Sequence, residues 1–387
     1  MNRKKIESML IGAFFFIMCG LIGFFGGYFM EDLLPENTPV WQELGSILLL
    51  VVAFYIVFIL HTFIHETGHM ICGLISGYEF GSIRFFSLMF VKEEGKLRVR
   101  KLSIAGTGGQ CLMTPPAMDG TSPVSLYNWG GCLANIITSL IAIAIALLFK
   151  EMNIIKLILL MFSFVGVCTS IINGVPLKTL SNDGYNALTL KKRKAARIAF
   201  EKSMFILKEL SDGKRMKDMS KDLFDYEIGA YELDDNILVT SALMTVNYHM
   251  DCRNFTKVRE ICKYLYDNVH LVDVHKLITI SERITCILLT DVDESDTDKF
   301  ESNRNEIEEL LTDDNKKLIK LHKAQPSVHR LWYIYELLYN GDKEKALVHK
   351  KDFEKISAKY PYKKDLESDV ELMALALQKY EKCHETS

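Results

Sequence analysis

An uncharged apolar run, residues 47–64, leads without a break into His65-Glu66-Thr67-Gly68-His69. As a helix rising about 1.5 Å per residue, that run nearly crosses a hydrocarbon core of about 30 Å. The motif therefore falls at the end of a segment built for lipid. Two imidazoles four residues apart share one helix face, with the glutamate about 100° round from the first. Ionisable groups at membrane depth cost about 2.5 to 3.5 kcal/mol each on insertion scales, so three within about one turn point to a function. The bland alternative is a buried polar cluster in a helix bundle.

Three more stretches read as spans, residues 9–30, 126–149 and 154–175; the second span starts near residue 46. Arg3, Lys4 and Lys5 precede the first. A cleaved signal peptide would also start this way, but the stretch is long and lacks a small-x-small cleavage site, which favours a retained anchor. Arg98, Arg100 and Lys101 follow the second span, and Lys191, Lys192, Arg193 and Lys194 follow the fourth. The loops at 31–45 and 150–153 are short and poor in Lys and Arg. The positive-inside rule then predicts a multi-pass protein with both termini cytoplasmic and the His motif near the cytoplasmic face.

The net charge of −3 implies no strong field toward nucleic acid. Nine cysteines without a CxxC read as reduced, structural thiols. Few Pro and Arg beside many Lys, Ile and Asn hint at an AT-rich bacterial source and hence a bacterial cell membrane. Charge is concentrated in the second half.

Between spans two and three, residues 82–91 and 97–105 read as a β-hairpin about the polar turn Lys92-Glu93-Glu94-Gly95-Lys96. Gly106-Thr107-Gly108-Gly109-Gln110 should break it, and Pro115-Pro116 should end the segment. The hairpin either covers the membrane face or offers an edge to an extended peptide. Beyond Gly184 the pattern turns helical. One helix pair is expected over 237–268, with Asp251 to Asn254 as the turn. Another is expected over 328–361, turning at Gly341-Asp342, and it resembles a tetratricopeptide unit. Residues 291–298 read as a solvated acidic loop. The expected organisation is thus an anchor and outer loop at 1–45, a membrane core at 46–190 and a cytosolic α-helical, repeat-like domain at 191–387. The fold class is an all-α polytopic membrane protein of about four spans with a short membrane-associated hairpin.

HExxH on a helix is a zinc-protease pattern: the two His bind the ion and the Glu activates water. A catalytic zinc needs a third protein ligand and an open position. Asp183, at the cytoplasmic end of the fourth span, is the best candidate on topology. A helix-capping Asn-Asp-Gly turn is the alternative reading of the same residues. His61, one turn before His65, reads as a packed residue bonded to a carbonyl or to a neighbour of the site, and less readily as a ligand. Asp119 reads as a surface turn residue.

Three features together resemble the site-2 protease family of intramembrane zinc metalloproteases: His65 to His69 in span two; Gly130-Gly131-Cys132-Leu133-Ala134-Asn135 opening span three; and Asn173-x-x-Pro176 followed by Asp183-Gly184. The resemblance covers about residues 47–190. It implies a Zn2+ endopeptidase that cleaves in or near a substrate's transmembrane segment, as in regulated intramembrane proteolysis or signal and pheromone peptide processing. His65, His69 and Asp183 would be the ligands and Glu66 the general base. It assigns Asn135 to positioning the substrate strand or the oxyanion, against the plainer reading of an interhelical hydrogen bond. Residues 106–113 correspond loosely to the family's membrane-embedded loop. The 176–183 gap is longer than the family's compact form, Lys178 intrudes there, and the outer loops are too short for a PDZ-like insert. The expected partners are a transmembrane substrate, membrane lipid and a protein on the helical tail, with no nucleic acid. The competing readings are a CAAX-type membrane zinc protease, which takes a Glu as a further ligand, and a non-enzymatic membrane-tethered scaffold.

Overall fold

The computed structural model describes residues 3–34, 38–93, 95–102, 108–178, 180–230, 232–290, 297–360 and 363–385. The chain divides into two compact units: residues 1–89 with 103–117 and 121–197, and residues 90–102 with 118–120 and 198–387.

Four helices are long and apolar enough to cross a membrane: α1 (Arg3–Leu33), α2 (Val40–Ile75), α3 (Val124–Ala146) and α4 (Ile154–Gly174). α2 begins earlier than expected. Pro39 stands at its N-cap, and a lone Gly45 costs only about 1 kcal/mol, too little to break a helix this apolar. Its large side chains are widely exposed along the first half, as at Leu48 (64%) and Tyr55 (62%). Its buried residues, Val57, His61, His65, Glu66, Gly68, His69 and Gly73, run from its middle to the other end.

Small residues set the packing of that end. A Cβ on Gly68 would lie 2.6 Å from the Ala134 Cβ and would run into the Gly130 backbone, so α2 and α3 cross nearly in backbone contact. α4 is tied to α3 by Ser163 Oγ donating to the Ser139 carbonyl (2.8 Å) and Ser170 Oγ donating to the Cys132 carbonyl (3.0 Å).

The sheet corrects the expected single hairpin. There are four strands, β1 (Glu79–Phe85), β2 (Leu88–Glu93), β3 (Lys96–Lys101) and β4 (Gly109–Thr114), in the order β3-β2-β1-β4. The run read as one strand over 82–91 breaks at Phe86, whose φ of 53° turns the chain. β4 forms where a break was expected, because its Cys111 and Met113 are buried. It pairs antiparallel with β1 from Glu79↔Thr114 to Phe85↔Gly109, with a bulge between Phe80 and Ser82. Residues 103–107, which hold the end of the expected second strand and the start of the glycine-rich break, lie outside the described residues.

α5 (Asp183–Lys192) and α6 (Lys194–Ser211) follow α4, and the remaining helices run from α7 to α14. α7 (Asn236–Asp251) and α8 (Phe255–Asn268) form a pair that turns through Arg253 (φ 60°), and Asn254 caps α8 by accepting from the Lys257 N–H. α12 (Pro326–Leu338) and α13 (Lys343–Ser357) form another, turning at Gly341 (φ 66°) with Asp342 as the cap. Between them come α9 (Asp273–Leu289), α10 (Thr297–Leu310) and α11 (Asp313–Leu321), and α14 (Asp365–Glu385) closes the chain. Leu277, Ile280, Ile284, Ile307, Ile319 and Leu331 form the main core of this unit. The buried Arg330 guanidinium joins Glu282 (2.6 Å) and Asp369 (2.8 Å) within it. Most of the expected acidic loop, 291–296, is outside the described residues.

Candidate metal centre

α2 carries His65 and His69 on one face, and both rings are buried. His69 Nδ1–H donates to the Tyr127 carbonyl at 2.8 Å, which leaves Nε2 as the free lone pair. That atom lies 3.2 Å from His65 Nε2. Asp183 Oδ2 is 2.9 Å from His65 Nε2 and 3.2 Å from His69 Nε2. Two nitrogens held about 2.0 to 2.1 Å from a tetrahedral ion stand about 3.3 Å apart, so the three atoms already have nearly the spacing that zinc asks for. Among the described residues this is the group of His, Cys, Asp and Glu that could hold a metal ion.

Asp183 arrives through a built corner. Asn182 caps α5 by accepting from the Tyr185 N–H (3.2 Å). Its amide nitrogen donates to the carbonyls of Ile172 and Val175, each at 2.6 Å, and its oxygen also accepts from the Leu177 N–H (3.1 Å). One side chain thus clamps the start of α5 to the end of α4. A Cβ on Gly184 would collide with the Gly174 backbone, so only glycine lets the two ends meet this closely. The long gap after Pro176 folds into a turn with Ser181 at φ 47°. The capping reading and the ligand reading therefore divide between neighbours: Asn182 caps, and Asp183 faces the rings.

Glu66 is buried and lies against the start of β4. A Cβ on Gly109 would sit 2.5 Å from Glu66 Cγ. Gly131 does the same for the donor set: its Cβ would fall 2.5 Å from His65 Cε1 and 2.6 Å from both Nε2 atoms. Asn135 is wholly buried, with its Oδ1 3.2 Å from His61 Nδ1 and its Nδ2 3.3 Å from His65 Nδ1. His61 bonds the Phe162 carbonyl through Nε2 (2.8 Å) and does not enter the donor set. Asn173 turns back to the Thr169 carbonyl of its own helix (3.0 Å). Asp119 is exposed in its turn and outside the donor set.

Sequence reading took Asn182 only as part of a capping Asn-Asp-Gly turn and Gly109 only as a breaker, and it passed over Tyr127. The first carried a usable signal, an Asx residue just before a helix. The other two carried none, because a carbonyl acceptor and a gap for a carboxylate are properties of the fold. No protein-family model, curated protein or solved structure matches this chain.

Proposed function

We propose that this chain is a multi-pass membrane zinc endopeptidase of the site-2 protease type. It hydrolyses a peptide bond in or near the transmembrane segment of a protein or peptide substrate. The observation that carries the reading is the convergence of His65, His69 and Asp183, from two separate helices, next to a buried Glu66. The donor set fits zinc in kind and in spacing: two neutral imidazoles and one carboxylate. That set closes on an aspartate, which weighs against the CAAX-type alternative.

Zinc bound there supplies a Lewis acid that polarises the scissile carbonyl and makes a water molecule acidic. Glu66 takes the proton from the attacking water and returns it to the leaving nitrogen. Gly131 keeps the space before the donors open. A membrane helix satisfies its own backbone amides and must unwind before it can be cut. In the strand order β3-β2-β1-β4, β4 is an edge strand, and it starts against Glu66. That edge can hold the unwound segment by main-chain hydrogen bonds. Both termini lie in the cytoplasm of a bacterial cell, with the helix pairs of the second unit available to a protein partner.

The test is purified protein in lipid or detergent, assayed for bound zinc and for cleavage of membrane peptides. Glu66→Gln should retain zinc and lose cleavage, and Asp183→Ala should lose both. Native-rate cleavage by the Gln variant would refute the mechanism. Metal-free protein with an intact fold would favour the scaffold alternative.

A further inference from the structure

We propose that Asn135 is a positioning residue that fixes the tautomer of the ligand His65, and that its own orientation is fixed from behind by His61 and the Phe162 backbone. The inference rests on the zinc reading and deepens it.

One group in the chain of contacts has a role beyond choice. A backbone carbonyl only accepts hydrogen bonds. The Phe162 oxygen is 2.8 Å from His61 Nε2, so that nitrogen carries a proton. His61 is completely buried, its ring packed on Phe162 at 4.1 Å between centroids, with Gly166 leaving it room. A second proton would make a buried cation between two neutral partners, which is costly. His61 is therefore the neutral Nε2–H form, and its Nδ1 is an acceptor. The structure sets Asn135 Oδ1 3.2 Å from His61 Nδ1, where two acceptors would face each other, so the relay requires the amide turned over, with its NH2 group toward His61. Turned over, the amide presents its oxygen to His65 Nδ1 in place of Nδ2, which stands there at 3.3 Å. The two ends of an amide are told apart only by such partners. The reverse orientation would need a doubly protonated His61 and would strip the proton from His65 Nδ1.

The outcome is one directed relay. His65 Nδ1–H donates to Asn135, Asn135 donates to His61 Nδ1, and His61 Nε2–H donates to Phe162. His65 Nε2 is left as a bare lone pair aimed at Asp183 and His69, which is the form a metal requires. His69 reaches the same state in one step through the Tyr127 carbonyl. Each imidazole is thus anchored on backbone, His69 directly and His65 through Asn135 on α3 and His61 on its own helix α2.

The relay predicts a rescue that simple packing does not. His61→Leu frees the Asn135 amide to turn over, and zinc affinity of the full-length protein in detergent, measured by chelator competition, should fall. Asn135→Leu should lower it by about 10- to 100-fold. An aspartate at 135 accepts from His65 Nδ1–H whichever way it turns, so Asn135→Asp added to His61→Leu should restore most of the lost affinity. Nitrogen-15 NMR of ring-labelled histidine should find His61 protonated at Nε2 alone and His65 protonated at Nδ1. A double variant no better than His61→Leu, wild-type affinity in Asn135→Leu, or a His61 protonated at Nδ1 would each overturn the relay. If the wild-type chain binds no zinc, the zinc reading fails, and the NMR assignment on the metal-free chain decides the relay alone.

Discussion

On the proposed zinc reading, Gly131 is the position at which one methyl group decides the chemistry. Its missing side chain is the space onto which both Nε2 atoms open. Gly131→Ala should remove zinc binding and cleavage while the helices stay folded, as judged by metal content beside circular dichroism. An alanine variant that loads zinc normally would show that the ion sits elsewhere. Gly109 makes the parallel case for Glu66. Gly109→Ala should lower cleavage with little change in bound zinc, since it crowds the base and not the donors. Both glycines look unremarkable in the sequence. Gly131 was visible only inside the Gly130-to-Asn135 element, and its role depends on how closely α3 approaches α2.

At the scale of elements, the corner between α4 and α5 carries the third donor. Asn182 makes one helix cap and two bonds back to α4. Asn182→Ala should cost about 0.5 to 2 kcal/mol for the cap alone. It should also weaken zinc more than it weakens the fold, because Asp183 then swings with an untethered helix. Equal loss of both would show that the clamp is only structural. The helices themselves were legible: hydrophobic length and charge-free windows found all four apolar ones, and Gly341-Asp342 marked a helix-pair turn. The sheet was only half legible. β4 follows a glycine-rich stretch, and it is a strand because Cys111 and Met113 are buried and because it pairs with β1, neither of which periodicity reports. Asn135 shows the limit at the site itself. Sequence placed it on the right helix, but only the fold reveals that its amide is spent between two imidazoles.

For the molecule as a whole, the second unit holds a buried charge imbalance. Burial, with Asp369, Asp251 and Glu282 nearby and Arg330 in opposition, pushes the Asp365 carboxyl up to about 7. Burial likewise pushes Asp369 up to about 6 despite Arg330. A carboxyl raised in the folded state supports stability fully only below its ordinary value of 3.8; that support fades as pH rises from there and is lost once pH passes the folded value. Buried His275, lowered to about 4, acts in the opposite sense as pH falls below 6.5, so the raw pH curve mixes both. The difference between variants separates them. Asp365→Asn should leave the thermal midpoint nearly unchanged near pH 4, raise it progressively up to about pH 7, and hold that gain to pH 8. A constant offset across that range would show that Asp365 does not titrate there.

The length of α2 has a consequence for the proposed enzyme's surroundings. At about 1.5 Å per residue its 36 residues make a rod about 54 Å long, against an oily slab of about 30 Å. Such a rod must lean or protrude, and its catalytic end moves with whichever it does. Acyl-chain length then becomes a setting of the active site. Short-chain lipids would lift the imidazoles toward water, and long-chain lipids would draw them inward. Turnover measured across bilayers of graded thickness should peak at an intermediate one, a dependence that a water-soluble peptidase has no means to display.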